Sequence, residues 1–312
     1  MNQVAGGAEV EMKQALLKTE LKTEVIAVQN ILVPTDFSSI SRKALVYAAA
    51  VAKHYGSRLH VAHVLPLEVI WLPEQSLKKA RHEAEEQMKA VVSAVELSTQ
   101  PNALLSEGDI AEVTPDLLKQ HGIDLMVLAT HGRKGLQRFM LGSVAEEIFR
   151  TAACPVLTVG PKAPEAPAAV LNRILFATDF TAESVAALPC AISLAQEHQA
   201  HLYLVHVVQK DHRIVAPHER ALARPPYEQR LRELIPPGTT QVSTVERVVE
   251  FGSPTDGILL AGERCSADLI VLGIRGGGPL VRAATHLPGP TAYNVIAQAH
   301  CPVLTVRGSA AP

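Results

Sequence analysis

Short β-branched apolar runs alternate along the chain with longer stretches in which apolar residues recur every three or four positions. This alternation is typical of parallel strands joined by crossover helices. In the first half it predicts five strands, at 31–34, 59–64, 103–106, 125–129 and 156–159. The helical stretches carry apolar stripes, which are Leu45, Ala48, Ala49, Ala52 and Tyr55 in the first and Ala80, Ala84, Met88, Val91 and Val95 in the second. The pattern therefore predicts an α/β fold, a doubly wound five-stranded parallel sheet with helices on both faces.

The pattern occurs twice, which indicates an internal repeat. Residues 30–37 return as residues 173–180, 143 positions later, and both copies place Thr-Asp-Phe directly after a strand. The run Cys-Pro-Val-Leu-Thr-Val at 154–159 returns at 301–306, an offset of 147. The second copy therefore carries about three additional residues shortly before its last strand.

The repeat predicts two tandem domains of the same fold, at 28–160 and 171–307. The Pro/Ala-rich segment 161–170 favours a semi-rigid linker between them, and residues 1–27 have no counterpart in the second copy and form an N-terminal extension.

In the second domain the pattern predicts the last two strands at 268–272 and 301–306. The proline-rich segment 215–238 is predicted to be irregular around a short helix at 227–234.

Composition narrows the function classes. The 312 residues are 47% hydrophobic and 19% charged, with a net charge of about −2, so no positive field favours nucleic acid or an anionic membrane. The longest unbroken apolar run, 44–52, is too short to span a bilayer, and we expect a cytoplasmic protein. The four cysteines lie far apart without a Cys-x-x-Cys, which favours reduced thiols. Histidine pairs in the strands, such as His60 and His63, fall on opposite faces, so no metal site is expected.

Two segments carry candidate chemistry, because ligands of open parallel sheets bind beyond the carboxyl ends of the strands. Asp36 follows the first strand, where a carboxylate suits the two hydroxyls of a ribose or, equally, caps a turn. The glycine-rich segment 128–143 precedes a helix predicted to begin at Val144. Its glycines, the Ser143 hydroxyl and the helix N-terminus favour an anion such as phosphate, although a plain connection with a serine cap has the same appearance.

Together these segments resemble the universal stress protein family, whose nucleotide-binding members carry Gly-x-x-Gly-x9-Gly-(Ser/Thr). In the first domain the spacing is intact, with Gly132, Gly142 and Ser143 in place and Ala129 at the position of the first glycine. The resemblance covers both domains and implies a fold of the adenine nucleotide alpha hydrolase-like kind.

The resemblance also implies a ligand, ATP with or without Mg²⁺, or AMP or ADP, and a role for each residue that matches the family motif. By that similarity Asp36 holds the ribose, and backbone at Pro34, Thr35 and Val64 frames the adenine. The phosphates are held by Gly132, Gly142, Ser143 and Val144. His131, inside the loop, is expected to position phosphate.

The second domain departs from this motif. Gly273 and Gly276 keep its first half, but twelve residues instead of nine precede Gly289, and Pro290 stands in the place of Ser143. Proline offers neither a hydroxyl nor an N–H, and the loss of two donors to phosphate weakens binding by about 3–6 kcal/mol. We therefore expect nucleotide binding mainly in the first domain, unless Arg275 or Arg282 compensates.

Three functional hypotheses follow. The first is a universal stress protein that senses adenine nucleotide and regulates an unidentified protein partner, its two domains paired through their last strands as relatives are. The second is a slow ATP hydrolase or nucleotide transferase. The sequence contains no recognisable general base, metal-binding carboxylates or activated nucleophile for such a reaction. No catalytic residue is therefore assigned, and weak ATPase activity at most is expected. The third is a scaffold that binds no nucleotide.

Overall fold

The structure, a computed structural model, describes residues 28–130, 148, 152–168, 170–209, 216–235, 242, 244–275 and 290–308. In the first domain the described elements are β1 (Asn30–Pro34), α1 (Ser39–Tyr55), β2 (Arg58–Leu65), α2 (Leu67–Ile70), α3 (Glu74–Ser93), β3 (Asn102–Glu107), α4 (Ile110–Gln120), β4 (Leu125–Ala129) and β5 (Val156–Val159). In the second they are β6 (Arg173–Ala177), α5 (Ala182–Val185), α6 (Leu188–Glu197), β7 (His201–Val208), α7 (Pro217–Leu234), β8 (Thr244–Phe251), α8 (Pro254–Arg264), β9 (Leu269–Arg275), α9 (Pro290–Gln298) and β10 (Val303–Gly308).

All ten described strands form one sheet in the order β3-β2-β1-β4-β5-β10-β9-β6-β7-β8. The pairs within each domain are parallel, and β5 pairs antiparallel with β10 where the two domains meet. Each half is thus a five-stranded parallel sheet, and the two halves join through their last strands. Both predictions, the tandem fold and this pairing, are confirmed.

The junction has approximate twofold symmetry. Leu157 of β5 lies opposite Leu304 of β10, its own counterpart in the repeat. The flanking pairs, Val303 with Thr158 and Thr305 with Val156, exchange with one another under the same relation. A contact between equivalent residues marks the axis of a two-fold interface, so the axis of the pseudo-dimer passes through the Leu157–Leu304 pair.

Apolar residues cover both faces of the sheet, as the doubly wound pattern requires. In β1, Ile31 and Val33 belong to one buried cluster and Leu32 to the other, since successive side chains of a strand point to opposite faces. The first cluster includes residues of α1, α3, α6 and α7, and the second includes residues of α4, α8 and α9. Each cluster contains residues from both domains, so the core is continuous across the junction.

Helix α1 has no single equivalent in the second domain. Ser38 caps α1 by accepting a hydrogen bond from the Ser41 amide at 3.2 Å. In the second domain the corresponding stretch is divided into α5 and α6, with Pro189 in the first turn of α6. A proline lacks an amide hydrogen and is tolerated at a helix start, so it permits a new helix there.

The prediction that 215–238 is irregular around a short helix was wrong, because α7 runs over 18 residues. Pro217 occupies the first turn, where its missing N–H costs nothing. Glu219 Oε2 accepts a hydrogen bond from the Ala216 amide at 3.0 Å and so caps that turn. Leu231 and Leu234 are buried, and this packing outweighs the two helical hydrogen bonds that Pro225 and Pro226 remove.

Candidate functional site

The strand order reverses between β1 and β4, since the chain continues from β1 toward β2 on one side and from β4 toward β5 on the other. Crevices at such reversal points bind ligands in open α/β sheets. Asp36 follows β1, and Ala129 is the last residue of β4. The structure therefore brings these two predicted residues to opposite sides of one crevice, although they are 93 positions apart in sequence.

Asp36 is half-buried and forms a local turn directly after β1. Its Oδ1 accepts a hydrogen bond from the Ser38 amide at 3.0 Å, which leads the chain into α1. The turn-capping role that the sequence left open is therefore present. The bond to the Ser38 amide uses one acceptor site of the Asp36 carboxylate. A carboxylate offers about four such sites, so the same group can accept further hydrogen bonds.

The turn at Asp36 is held by its neighbour Thr35. The Thr35 hydroxyl accepts from the Phe37 amide at 3.0 Å and lies 3.1 Å from the hydroxyl of Ser41. The Thr35 amide donates to the Ala62 carbonyl at 2.8 Å. These bonds hold Phe37 at a φ of 63°, a left-handed conformation that a bulky residue adopts only under tertiary constraint. Thr35 thus shapes the crevice mainly through its side chain.

His63 is a member of this site that the sequence analysis did not assign to it. Its Nδ1 donates to the Thr35 carbonyl at 2.7 Å, and its ring lies 4.3 Å from that of Phe37. The signal was present in the repeat: His206 donates to the Thr178 carbonyl at 2.8 Å and lies 4.4 Å from Phe180. A comparison of the two copies would have found it.

Pro34 and Val64 lie on the same side of the crevice as Asp36. Pro34, the last residue of β1, pairs with Ala62, and β2 continues past that end of β1 to Leu65, with Val64 in this extension. Val64 is half-buried and pairs with Ser106 of β3. Backbone of β2 therefore borders the crevice where the resemblance expects an adenine ring.

On the opposite side, Ala129 pairs with Val159, and the buried Thr130 that follows donates its amide to the Val159 carbonyl at 3.4 Å. The other predicted phosphate-binding residues lie outside the described residues; these are His131, Gly132, Gly142, Ser143 and Val144. The described part of the site therefore consists of the turn after β1, the neighbouring backbone of β2 and the last residue of β4.

The second domain repeats the turn almost atom for atom. Asp179 Oδ1 accepts from the amide and the hydroxyl of Thr181, at 3.0 and 2.6 Å. The Thr178 hydroxyl accepts from the Phe180 amide at 2.9 Å. Partial burial raises the pKa of Asp179, but the hydrogen bonds from Thr181 outweigh it and leave the pKa below the usual range. Asp179 is thus ionised at neutral pH.

Two side chains of α7 lie beside this second turn, whose Asp179 is exposed while Asp36 is half-buried. Tyr227 of α7 stacks on His206 with ring centroids 5.0 Å apart, and the Arg230 guanidinium lies 4.0 Å from the centre of the Phe180 ring. Burial, and to a smaller extent the charge of Arg230, lowers the pKa of His206. The hydrogen bond to the Thr178 carbonyl raises this pKa, but by less than burial lowers it. Helix α7 therefore packs on His206 and Phe180, the counterparts of His63 and Phe37.

On the opposite side of the second crevice, the backbone of α5 packs directly on β9. A β-carbon on Gly273 of β9 would lie 2.5 Å from Cα of Ser184 and 2.6 Å from its carbonyl oxygen. Only glycine fits at so close an approach. The glycine that restores the family motif in the second domain is therefore required by the packing of α5, whatever else it does.

The cysteines of the described residues do not favour thiol chemistry. The four cysteines are free, and burial raises the pKa of Cys190 and Cys301 to about 12, which makes their thiols unreactive. Among the described residues, no helix combines the length and the apolar character that a membrane crossing requires.

Comparison with known proteins identifies the family. The model of the universal stress protein family matches residues 27–160 and again 171–307. The chain belongs to the universal stress protein family. It is a tandem member, since each match spans one of the two five-stranded halves.

Single-domain relatives match one half of the chain. A universal stress protein of Methanocaldococcus jannaschii is 31% identical over 157 residues, which are 47% of this chain and 91% of the relative. The universal stress protein YxiE of Bacillus subtilis is 28% identical over 143 residues, 41% of this chain and 97% of the relative. A crystal structure of a universal stress protein from Archaeoglobus fulgidus spans both halves, with a TM-score of 0.67 at 21% identity over 91% of this chain and 98% of that one, and so supports the fold.

Proposed function

We propose that this universal stress protein binds one adenine nucleotide in its first domain and acts in the stress response as a nucleotide sensor for a protein partner. The observation that carries the proposal is the position of Asp36 and Ala129 on the two sides of the strand-order reversal, beside backbone of β2 at Val64. A carboxylate in that position suits the two hydroxyls of a ribose. The intact glycine spacing after Ala129 adds the phosphate-binding half.

The preference for the first domain rests on three differences. Pro290 stands in the place of Ser143 and removes a hydroxyl and an amide donor. Helix α7 places Tyr227 on His206 and Arg230 over the Phe180 ring, next to the turn at Asp179. The backbone of α5 packs directly on Gly273. Each of these differences reduces the room or the donors for a nucleotide in the second crevice.

The decisive experiment is to purify the full chain without added nucleotide, denature it, and quantify released adenine nucleotide by chromatography and mass spectrometry. The apo protein is then titrated with Mg-ATP, ADP and AMP by calorimetry. We expect about one nucleotide per chain. Two tight sites per chain would contradict the preference for the first domain.

The repeat provides a matched pair of variants. Asp36→Asn keeps the oxygen that accepts from Ser38 but loses the charge, and we expect affinity to fall about tenfold to a hundredfold, because hydrogen bonds to charged groups contribute about 1.5–3 kcal/mol. Asp179→Asn makes the same change in the second domain and should leave affinity unaltered. A third variant, Gly142→Asp, places a negative charge in the glycine motif and should abolish binding.

Two outcomes would change the proposed function. Turnover of Mg-ATP well above the background of the Gly142→Asp variant would favour the ATP hydrolase. No copurified nucleotide, and no binding at millimolar Mg-ATP, would favour the scaffold that binds no nucleotide.

A further inference from the structure

A cluster of imidazole and carboxylate groups joins the two domains at the carboxyl ends of two helices. His54 lies in the last turn of α1, and Glu197 and His198 are the last residue and the C-cap of α6. Their potential ligand atoms all lie within 4.8 Å of one another. No single segment of the sequence contains this group, because its two parts are 143 residues apart.

The contacts within the cluster are specific. His54 Nε2 lies 2.9 Å from Glu197 Oε1, and the Tyr55 hydroxyl donates to the other oxygen, Oε2, at 2.7 Å. The rings of His54 and His198 stack with centroids 4.8 Å apart and an interplanar angle of 18°. Glu197 is therefore fixed by Tyr55 on one side, and its second oxygen is directed at the two imidazoles.

The cluster also has a defined relation to the symmetry of the molecule. Glu197 is the repeat counterpart of His54, and His198 is the counterpart of Tyr55. Equivalent residues meet only near the axis of a twofold arrangement, as Leu157 and Leu304 do in the sheet. The cluster thus lies near the pseudo-twofold axis, where the α1 and α6 ends of both domains converge.

Three physical features favour a cation at this point. Helix C-termini carry a partial negative charge that attracts cations, and two of them meet here. Two imidazoles and one carboxylate form a donor set that first-row transition ions accept, with Zn²⁺ adding a water as the fourth ligand. Tyr55 supplies the outer hydrogen bond that orients a ligating carboxylate in metal sites.

A shared ion requires one imidazole to turn, because nearly parallel rings direct their nitrogen lone pairs along parallel planes, and it requires the ligand atoms to move closer. Tetrahedral ligands about 2.1 Å from a metal are about 3.4 Å apart, so the widest separation in the cluster must close by a little over 1 Å. The His54 side chain is 40% exposed, so its ring has room to leave the stack on His198 and turn toward a shared ion. The long contact from the Leu171 amide to His198 Nδ1, 3.5 Å, is weak and costs little to give up.

We propose that His54, Glu197 and His198 form a binding site for a divalent transition ion, Zn²⁺ in the first place, that ties the two domains together at the pseudo-twofold axis. The proposal does not depend on nucleotide binding. It differs from the expectation that no metal site is present, which considered only histidine pairs within single strands.

The test uses the full chain, stripped with a chelator and titrated with Zn²⁺ alone by calorimetry. We expect one site that is lost, or weakened at least about tenfold, in His54→Gln and in His198→Gln. His82→Gln and His201→Gln remove exposed histidines outside the cluster and serve as controls, and they should bind Zn²⁺ as the wild type does. Circular dichroism of each apo variant verifies that it is folded.

A second readout concerns the junction of the domains. Because the ligands come from both domains, Zn²⁺ should raise the thermal midpoint of the wild type and of His82→Gln but not of His54→Gln. Co²⁺ in the same site should give the visible absorption of a tetrahedral ion. If the wild type binds no Zn²⁺, or if the two cluster variants bind it as tightly as the controls, the cluster is an ordinary ion pair and the proposal fails.

Discussion

Thr158 and Thr305 occupy equivalent positions of β5 and β10, but they differ in their hydrogen bonding. The Thr305 hydroxyl donates to the Val156 carbonyl across the junction at 3.2 Å. The Thr158 hydroxyl is equally buried and has no hydrogen-bond partner among the described residues. The two domains therefore meet in a junction that is symmetric in strand pairing and asymmetric in side-chain hydrogen bonding.

This asymmetry predicts opposite effects of the same substitution. Thr158→Val removes a buried hydroxyl without a partner and should stabilise the protein by about 1 kcal/mol. Thr305→Val removes a donor and should destabilise it by about 1 kcal/mol. Urea denaturation of both variants beside the wild type measures the difference, and equal effects of the two substitutions would refute the asymmetry.

A second prediction concerns the close approach of α5 to β9. Gly273→Ala places a methyl group against the backbone of Glu183 and Ser184 and should lower the free energy of unfolding by about 1–3 kcal/mol. The matched control is Ala129→Gly at the counterpart in β4, which should cost only about 0.5–1 kcal/mol through chain entropy. Urea denaturation of the two variants beside the wild type measures both losses in the free energy of unfolding. A Gly273→Ala variant as stable as Ala129→Gly would show that α5 is free to move away.

His60 predicts a pH dependence of stability. Its side chain is buried and its Nε2 has no partner among the described residues. Burial, followed by the nearby His121 and Arg58, lowers the pKa of His60 to about 4. Below pH 6.5 the unfolded chain therefore binds a proton that the folded chain accepts only near pH 4, so stability falls as the pH is lowered across this window, by on the order of 2–3 kcal/mol.

The measurement is urea denaturation at pH 7 and at pH 4.5. The loss between these values should be smaller in His60→Leu than in the wild type, because leucine does not titrate. His82→Gln, which changes an exposed histidine, should retain the full loss. An unchanged loss in His60→Leu would assign the pH dependence to other groups.

The sequence was sufficient for the fold because each signal was local or repeated. The β1 run of Ile31, Leu32 and Val33 is apolar throughout, as a strand buried on both faces requires, and the offset of 143 identified the second domain from the first. It failed at α7, where Pro225 and Pro226 argue for a break. Burial of Leu231 and Leu234, which no local pattern reveals, decides in favour of the helix.

For the candidate site, the sequence predicted residues whose position follows from the strand ends, and Asp36 and Ala129 do lie at the ends of β1 and β4. It missed His63, because a histidine that fixes a carbonyl has no motif of its own. It also missed the meeting of His54 with Glu197, since that contact depends on the pairing of two domains. Contacts across a symmetry axis are set by tertiary geometry, which spacing along the chain does not encode.

The linker is held on α1 by two side chains, and this attachment can be tested. The buried Lys43 ammonium donates to the carbonyls of Pro161 and Ala163. The Tyr47 hydroxyl donates to the Pro164 carbonyl at 2.9 Å. Burial, together with Cys301 and Glu165, raises the pKa of Tyr47 to about 12, so this donor remains protonated through the physiological range.

Lys43→Met should release the linker, because methionine fills a similar volume but leaves the buried Ala163 carbonyl without its donor, at a cost of about 1–3 kcal/mol. Hydrogen exchange of the amides at 161–168 should become faster while the strands keep their protection, since the lost contacts are local. Glu165→Gln is the control: the Glu165 side chain is 92% exposed and its ion pair with Lys43 contributes little. If the amides at 161–168 exchange equally fast in the two variants, and faster than in the wild type, then the ion pair and not the two carbonyl bonds holds the linker on α1.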